Sequence, residues 1–247
     1  SEFGWRTAYV GLALVPLLVA GPIVWLGFRP KETAELESAE AAESQWGLTL
    51  PQAIRTYRFW VLVVSVLAVY MAVSGIAPNL QPALIDEGFS AETAATVASV
   101  LGLSIMIGRV AVGFLIDKFW APGVACAALL LPVVGCYLLL QSPSVALASL
   151  AAALIGFAAG AELDLMSFFT ARYFGLKHYA TIYSIAYLCL ALGSAFAPTL
   201  FGRVYDTFED YDAGFMIAGG LFLLGASIVL LLGRYPERGT AVDSQTP

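Results

Sequence analysis

The stretch "LGLSIMIGRVAVGFLIDKFW", residues 101–120, decides how this chain is read. It is almost wholly apolar, yet Arg109 stands inside it, roughly two helical turns before the next charge, Asp117. A run of this length fits a helix crossing a hydrocarbon layer, which takes about 20 apolar residues. An unpaired arginine inside such a layer costs at least ~2.5–3.5 kcal/mol. It must face protein or water and find negative charge.

Composition puts the rest of the chain in the same solvent. Its 247 residues are 60% hydrophobic and only 12% charged, with a mean hydropathy of +0.82. Ordinary soluble domains are about 45–50% apolar and about 25% charged. The net charge of −6 says little about partners, because glutamates are concentrated in the segment 29–58. Nothing forms a basic patch for nucleic acid. Cys126, Cys136 and Cys189 lie inside apolar runs without metal-ligand spacing and read as small core residues. No nucleophile–base set, metal cluster or phosphate-binding glycine loop stands out, so no cofactor, no metal and no enzyme activity are expected.

Seven segments are long and apolar enough to span: 7–28, 59–80, 92–116, 122–141, 144–169, 179–202 and 213–233. Helices are required, since lipid offers no partner to unpaired backbone groups. The expectation is an all-α integral membrane protein with about seven transmembrane helices. Its parts are one helix (1–28), a cytoplasmic connection (29–58), a six-helix bundle (59–235) and a disordered tail (236–247). The start "SEFGWRTAYV", with neither Met nor a signal-peptide layout, reads as a piece of a longer protein.

Charge sets the orientation. With the first segment running inward, the cytoplasmic side receives Arg29, Lys31, Arg55, Arg58, Lys118, Arg172, Lys177, Arg234 and Arg238, and the outside keeps Arg6 and Arg203. The outer loops "IDEGFSAE" and "YDTFEDYD" are acidic, and Trp5, Trp25, Trp60 and Trp120 fall near segment ends. Ser90 is the expected N-cap of the third segment, with Glu92 in its first turn, and "SPS" at 142–144 opens the fifth. Pro16, Pro22, Pro78, Pro132 and Pro198 lie within or at the ends of spans, where neighbouring helices can satisfy freed carbonyls.

The partners for Arg109 are few. Glu162 and Asp164, in "IGFAAGAELDLMSFF", are about 9–12 Å deep, which matches the arginine's ~12 Å. Gly156, Gly160 and Asp164 recur every fourth residue, a small-residue stripe that brings Asp164 to a close helix contact, while Glu162 points about half a turn away. Gly102, Arg109, Gly113 and Asp117 share a broad face of the other helix. Two readings stay open: a buried ion pair that fixes packing, or a pathway in which Arg109 holds an anion or an acid takes a proton.

These residues resemble the major facilitator superfamily, and within it the bacterial monocarboxylate and oxalate–formate-type porters. The pattern at Gly108, Arg109, Gly113, Asp117 and Lys118 is similar to the superfamily's signature between helices eight and nine. "GWR" at 4–6, "PNLQPALIDEGFSAETAA" and "GAELDLMSFFTARYFGLKHYATIYS" resemble segments of helices six, seven to eight and ten to eleven. The resemblance implies that the chain holds helix six, the central loop and the six-helix bundle of helices seven to twelve, with helices one to five outside it. It implies alternating access, Arg109 as a substrate contact, and Gly108, Gly113, Asp117 and Lys118 as a conformational latch. Where oxalate-type carriers have a lysine in helix eleven this chain has Ala186, and where some monocarboxylate carriers have an aspartate before the arginine it has Ile105. A monoanion, or a solute coupled to a proton on Glu162 or Asp164, fits these departures better than a dianion.

Tyr183, Tyr187, Tyr70 and Asn79 are the polar side chains expected to line a cavity or to pair across helices. His178 reads as a solvated loop residue, and Arg172 with Tyr173 as an anchor at the headgroups. The expectation is a secondary transporter of the inner or plasma membrane. It would move a small organic anion by proton symport or exchange, with the bilayer and the remaining helices as partners. The rival is a non-transporting seven-helix sensor or scaffold.

Overall fold

A computed structural model describes residues 46–141 and 144–236, with positions 10, 14, 18, 21 and 22 before them. The chain divides into two compact units, residues 1–45 and 46–247. In the first, the described positions are helical; the rest of the span expected at 7–28, the connection as far as 45, Trp5, Trp25 and the tail from 237 lie outside the described residues.

The second unit is helical throughout its described length. A short helix α1 (Leu50–Arg55) precedes α2 (Tyr57–Asp86), α3 (Ala91–Lys118), α4 (Ala121–Leu139), α5 (Val145–Phe174), α6 (Tyr179–Phe208) and α7 (Asp212–Val229), which ends in a 3₁₀ turn, Leu230–Leu232. Helices α2 to α7 are each long and apolar enough to cross a membrane. They match the six expected spans from 59–80 to 213–233 and run beyond several of them, because polar ends are capped as well as apolar centres buried. Ser90 accepts from the Thr93 N–H at 3.2 Å and opens α3; Ser144 accepts from Leu147 at 3.4 Å and opens α5. Pro122 sits in the first turn of α4, where its missing N–H is harmless.

Hydroxyls inside the spans close on carbonyls of their own helix, as Thr170 on Met166 at 2.7 Å and Ser227 on Leu223 at 2.8 Å. A hydroxyl in lipid has no water to fall back on, so this internal bonding is what makes it tolerable. Others bind helices together: Ser65 Oγ donates to the Gly225 carbonyl at 2.9 Å, and Ser74 meets Ser194 at 3.0 Å.

Helix α5 packs between α3 and α4, α7 between α4 and α2, and α6 leans on α2. The apolar windows of α2 and α5 are 56% and 50% buried, those of α3 and α6 only 28%. Helices α3 and α6 therefore flank an open face of the bundle. Alternating direction sends Arg58, Lys118, Arg172, Lys177 and Arg234 to one end, and Asp86, Glu87, Glu209, Asp210 and Asp212 to the other.

The basic end carries the structure the sequence did not announce. Residues 46–49, read as part of a connection, form a bridge to the turn after α5: Leu48 donates to Phe174 O at 2.8 Å and Leu176 to Trp46 O at 3.0 Å, with Gly47 opposite Gly175. Gly175 has φ +82° and its missing Cβ leaves room for the Trp46 carbonyl, so glycine is required twice over. The expected headgroup anchor at Tyr173 is corrected here. Tyr173 is 2% exposed, and its hydroxyl donates to Gly233 O at 2.7 Å. Arg172 instead lies over the Tyr235 ring at 4.8 Å. Aromatic surface in the bundle was available to Tyr173, and burial won.

Candidate functional site

The site begins as a seam between α3 and α5. Cβ atoms added at Gly156 and Gly160 would collide with the carbonyl oxygens of Leu101 and Ile105, and one at Gly108 with that of Phe157. The absence of three side chains thus lets two backbones touch. This seam puts Asp164, one turn after Gly160, beside Arg109, one residue after Gly108. Gly102 and Gly113 have open space around them and take no part in the seam, although they share a broad face with Arg109.

Arg109 Nε lies 3.5 Å from Asp164 Oδ2 and donates to the Gly160 carbonyl at 3.4 Å. Both distances are long for charge-assisted bonds, which run about 2.7–2.9 Å. The side chains are 54% and 40% exposed, so the pair is half open to the free face rather than sealed in the core. Neither Nη of the guanidinium is engaged among the described residues. The arrangement is a cation tethered by one edge, with its bidentate fork available.

Tyrosines line the same face. On α6, Tyr179, Tyr183 and Tyr187 stack in sequence, with centroids 5.6 and 6.2 Å apart and rings tilted by 21° and 25°. Tyr183 is within electrostatic reach of Asp164, and Tyr70 on α2 within reach of Tyr187 and of Glu162. The structure thus brings Arg109, Asp164, Tyr183, Tyr187 and Tyr70 toward one face. Tyr179 was overlooked in the sequence, although its four-residue spacing from Tyr183 was the available signal.

The remaining candidates lie elsewhere. Asn79 is more than two turns beyond Tyr70; its amide donates to Gly75 O at 2.7 Å, and it borders a groove with Phe201, Tyr205 and Tyr211. There, outside the spans, burial and the Asp86 carboxylate raise the Tyr211 phenol above its ordinary value. Gly108 is spent on the α5 contact, and Asp117 and Lys118 are exposed at the basic end. His178 is half-buried at the N-terminus of α6. Glu162, the second embedded acid, is 3% exposed and points into the bundle, away from Arg109's partner. Among the described residues no group of three His, Cys, Asp or Glu stands close enough to hold a metal ion.

Comparison with known proteins agrees with this architecture. The Major Facilitator Superfamily model matches residues 1–198 and 64–246. Monocarboxylate transporter 12 of Xenopus laevis is 25% identical over 195 residues, covering 73% of this chain and 40% of that protein. The uncharacterized MFS-type transporter YhjX of Escherichia coli is 32% identical over 151 residues, 59% of this chain and 37% of its own length. Among solved structures, FucP, a Major Facilitator Superfamily transporter in the outward conformation, superposes with a TM-score of 0.63 at 17% identity, over 93% of this chain and 55% of its own. The chain spans less than half the length of these two relatives. The fold is a transporter's rather than an enzyme's, the molecule is a multi-pass integral membrane protein, and the chain belongs to the Major Facilitator Superfamily.

Proposed function

We propose that this chain contributes the second half of a secondary carrier that moves a small monocarboxylate-like anion across the inner or plasma membrane. Proton symport or exchange would drive it, by alternating access against helices that lie outside the chain. The basic end then faces the cytoplasm, 29–58 is the central connection, and Asp117 with Lys118 belongs to the latch. One observation carries the reading: an arginine at span depth, held at 3.5 Å by a single carboxylate and half exposed on a tyrosine-lined face. A purely structural ion pair in lipid would be shut in by packing; this one leaves its fork free. A carboxylate can take both Nη atoms while Asp164 retains or yields Nε. The low-identity likeness to monocarboxylate transporter 12 supports the substrate class.

The test is Arg109→Lys in the full-length protein. It keeps the charge and removes the planar fork. We expect membrane insertion to be unchanged and uptake of labelled monocarboxylates to be lost; normal uptake by the variant removes Arg109 from the substrate site.

A further inference from the structure

The ring stack on α6 is finished at one end only. In a helix each side chain leans toward the N-terminus and covers the turn before its own. On α6 this sets Tyr183 over Tyr179 and Tyr187 over Tyr183, three rings tilted from one another by only 21° and 25°. The residue placed to cover Tyr187 in the same way is Ala191, which carries only a methyl group. Tyr187 is 44% exposed, and Ala191 is exposed with it. The stack therefore ends on a ring face that no larger side chain of α6 covers.

The neighbours of that face give it bounds. Ser194, seven residues beyond Tyr187 and so ~10 Å further along the axis, is bonded to Ser74 of α2 at 3.0 Å. Ser74 stands one turn beyond Tyr70, whose phenol is within electrostatic reach of Tyr187. The uncovered ring thus has α2 beside it and the serine pair beyond it. Its depth is also defined. Arg109 is nine residues from the basic end of α3 and Tyr187 eight from that of α6, or ~13 and ~12 Å along their helices. The guanidinium fork and the ring face stand at one level of the bundle.

We propose that the solute is an aryl-substituted monocarboxylate, whose ring lies on Tyr187 above Ala191 as the fourth member of the stack. Its carboxylate takes the Nη pair of Arg109. Stacked aromatic rings gain beyond the area they bury, so a flat ring is favoured over a saturated ring of similar size. Ala191 decides this specificity by what it lacks, because a longer side chain there would lie on the ring face itself. The carboxylate end rests on the transport proposal above; the ring site does not.

The experiment measures equilibrium binding to the purified full-length protein, by ligand-induced thermal stabilisation. Its probes are phenylpropionate, cyclohexylpropionate and the amides of both. The phenyl acid is expected to bind roughly two- to tenfold more tightly than the cyclohexyl acid, as one stacked pair contributes. Tyr187→Phe keeps the ring face without the hydroxyl and is expected to keep that ratio. In Tyr187→Leu and in Ala191→Leu the ratio is expected to fall to about one, since the stacked pair is gone. The two leucine variants alter separate turns, so either one decides if the other does not fold. No phenyl preference in the natural protein, or a preference undiminished in the leucine variants, overturns the proposal. The amides separate it from the transport reading. Acids that bind more tightly than amides, without phenyl preference, sink the ring site and leave the anion carrier standing. A phenyl preference shared equally by acids and amides does the reverse, and binding of none of the four sinks both.

Discussion

At the scale of single residues, the half-open Arg109–Asp164 contact makes Asp164 a competitor for whatever anion the guanidinium takes. Neutralising it in Asp164→Asn should tighten equilibrium binding of a monocarboxylate by up to about fivefold, since an exposed pair is worth about 1 kcal/mol or less. Binding can be read from ligand-induced stabilisation of the purified full-length protein. Weaker binding would mean that Asp164 orients the arginine instead of competing for it. The two embedded acids also show how far a sequence carries at this scale. Depth brought both acids to the level of Arg109, and helical phase set Asp164 on the glycine stripe with Glu162 about half a turn away, but which acid meets the arginine stayed open until the 3.5 Å contact with Asp164 was seen. Neither quantity could reveal that Ser65 and Glu162 border the same small cavity in the core, because a lone serine in an apolar run has no phase marker.

At the scale of elements, the α3–α5 seam separates two classes of glycine. Gly160→Ala places a methyl group against the Ile105 carbonyl, and forcing the helices apart should destabilise the bundle by about 1–3 kcal/mol. Gly102→Ala, with nothing near its new Cβ, should instead be neutral or stabilising by up to ~0.5–1 kcal/mol. Thermal unfolding of both variants in detergent checks the contrast; equal effects would show that the backbone contact is not what the glycines serve. Capping offers a smaller test. Ser90→Ala removes the bond to Thr93 and should lower stability by ~1 kcal/mol. The six spans were legible because lipid forces each hydrophobic run into one continuous helix, and Ser90 was legible because capping is local. Apart from the glycine-marked contact of α3 with α5, which helices neighbour which was not, since every face is apolar and periodicity loses its contrast.

At the scale of the molecule, the open face between α3 and α6 and the pinned basic end are the two features that bear on motion. Gly175→Ala combines a strained φ with a collision at Trp46 O. The strain alone is about 1–3 kcal/mol, and the variant should release residues 46–49 from the turn after α5. Faster tryptic cleavage after Arg55 in the folded variant would report that release; unchanged cleavage would mean the segment is held by α1 and its neighbours. Nothing in the sequence marked this pairing, because two isolated glycines more than a hundred positions apart carry no pattern. Its effect is mechanical. Helix α6 starts four residues beyond the knot, so the incoming chain is moored at the turn that leads into the helix carrying the tyrosine stack. Whatever shifts the start of α6 hauls that mooring with it, so a spacer spliced into residues 49–56 should be felt at the tyrosine stack.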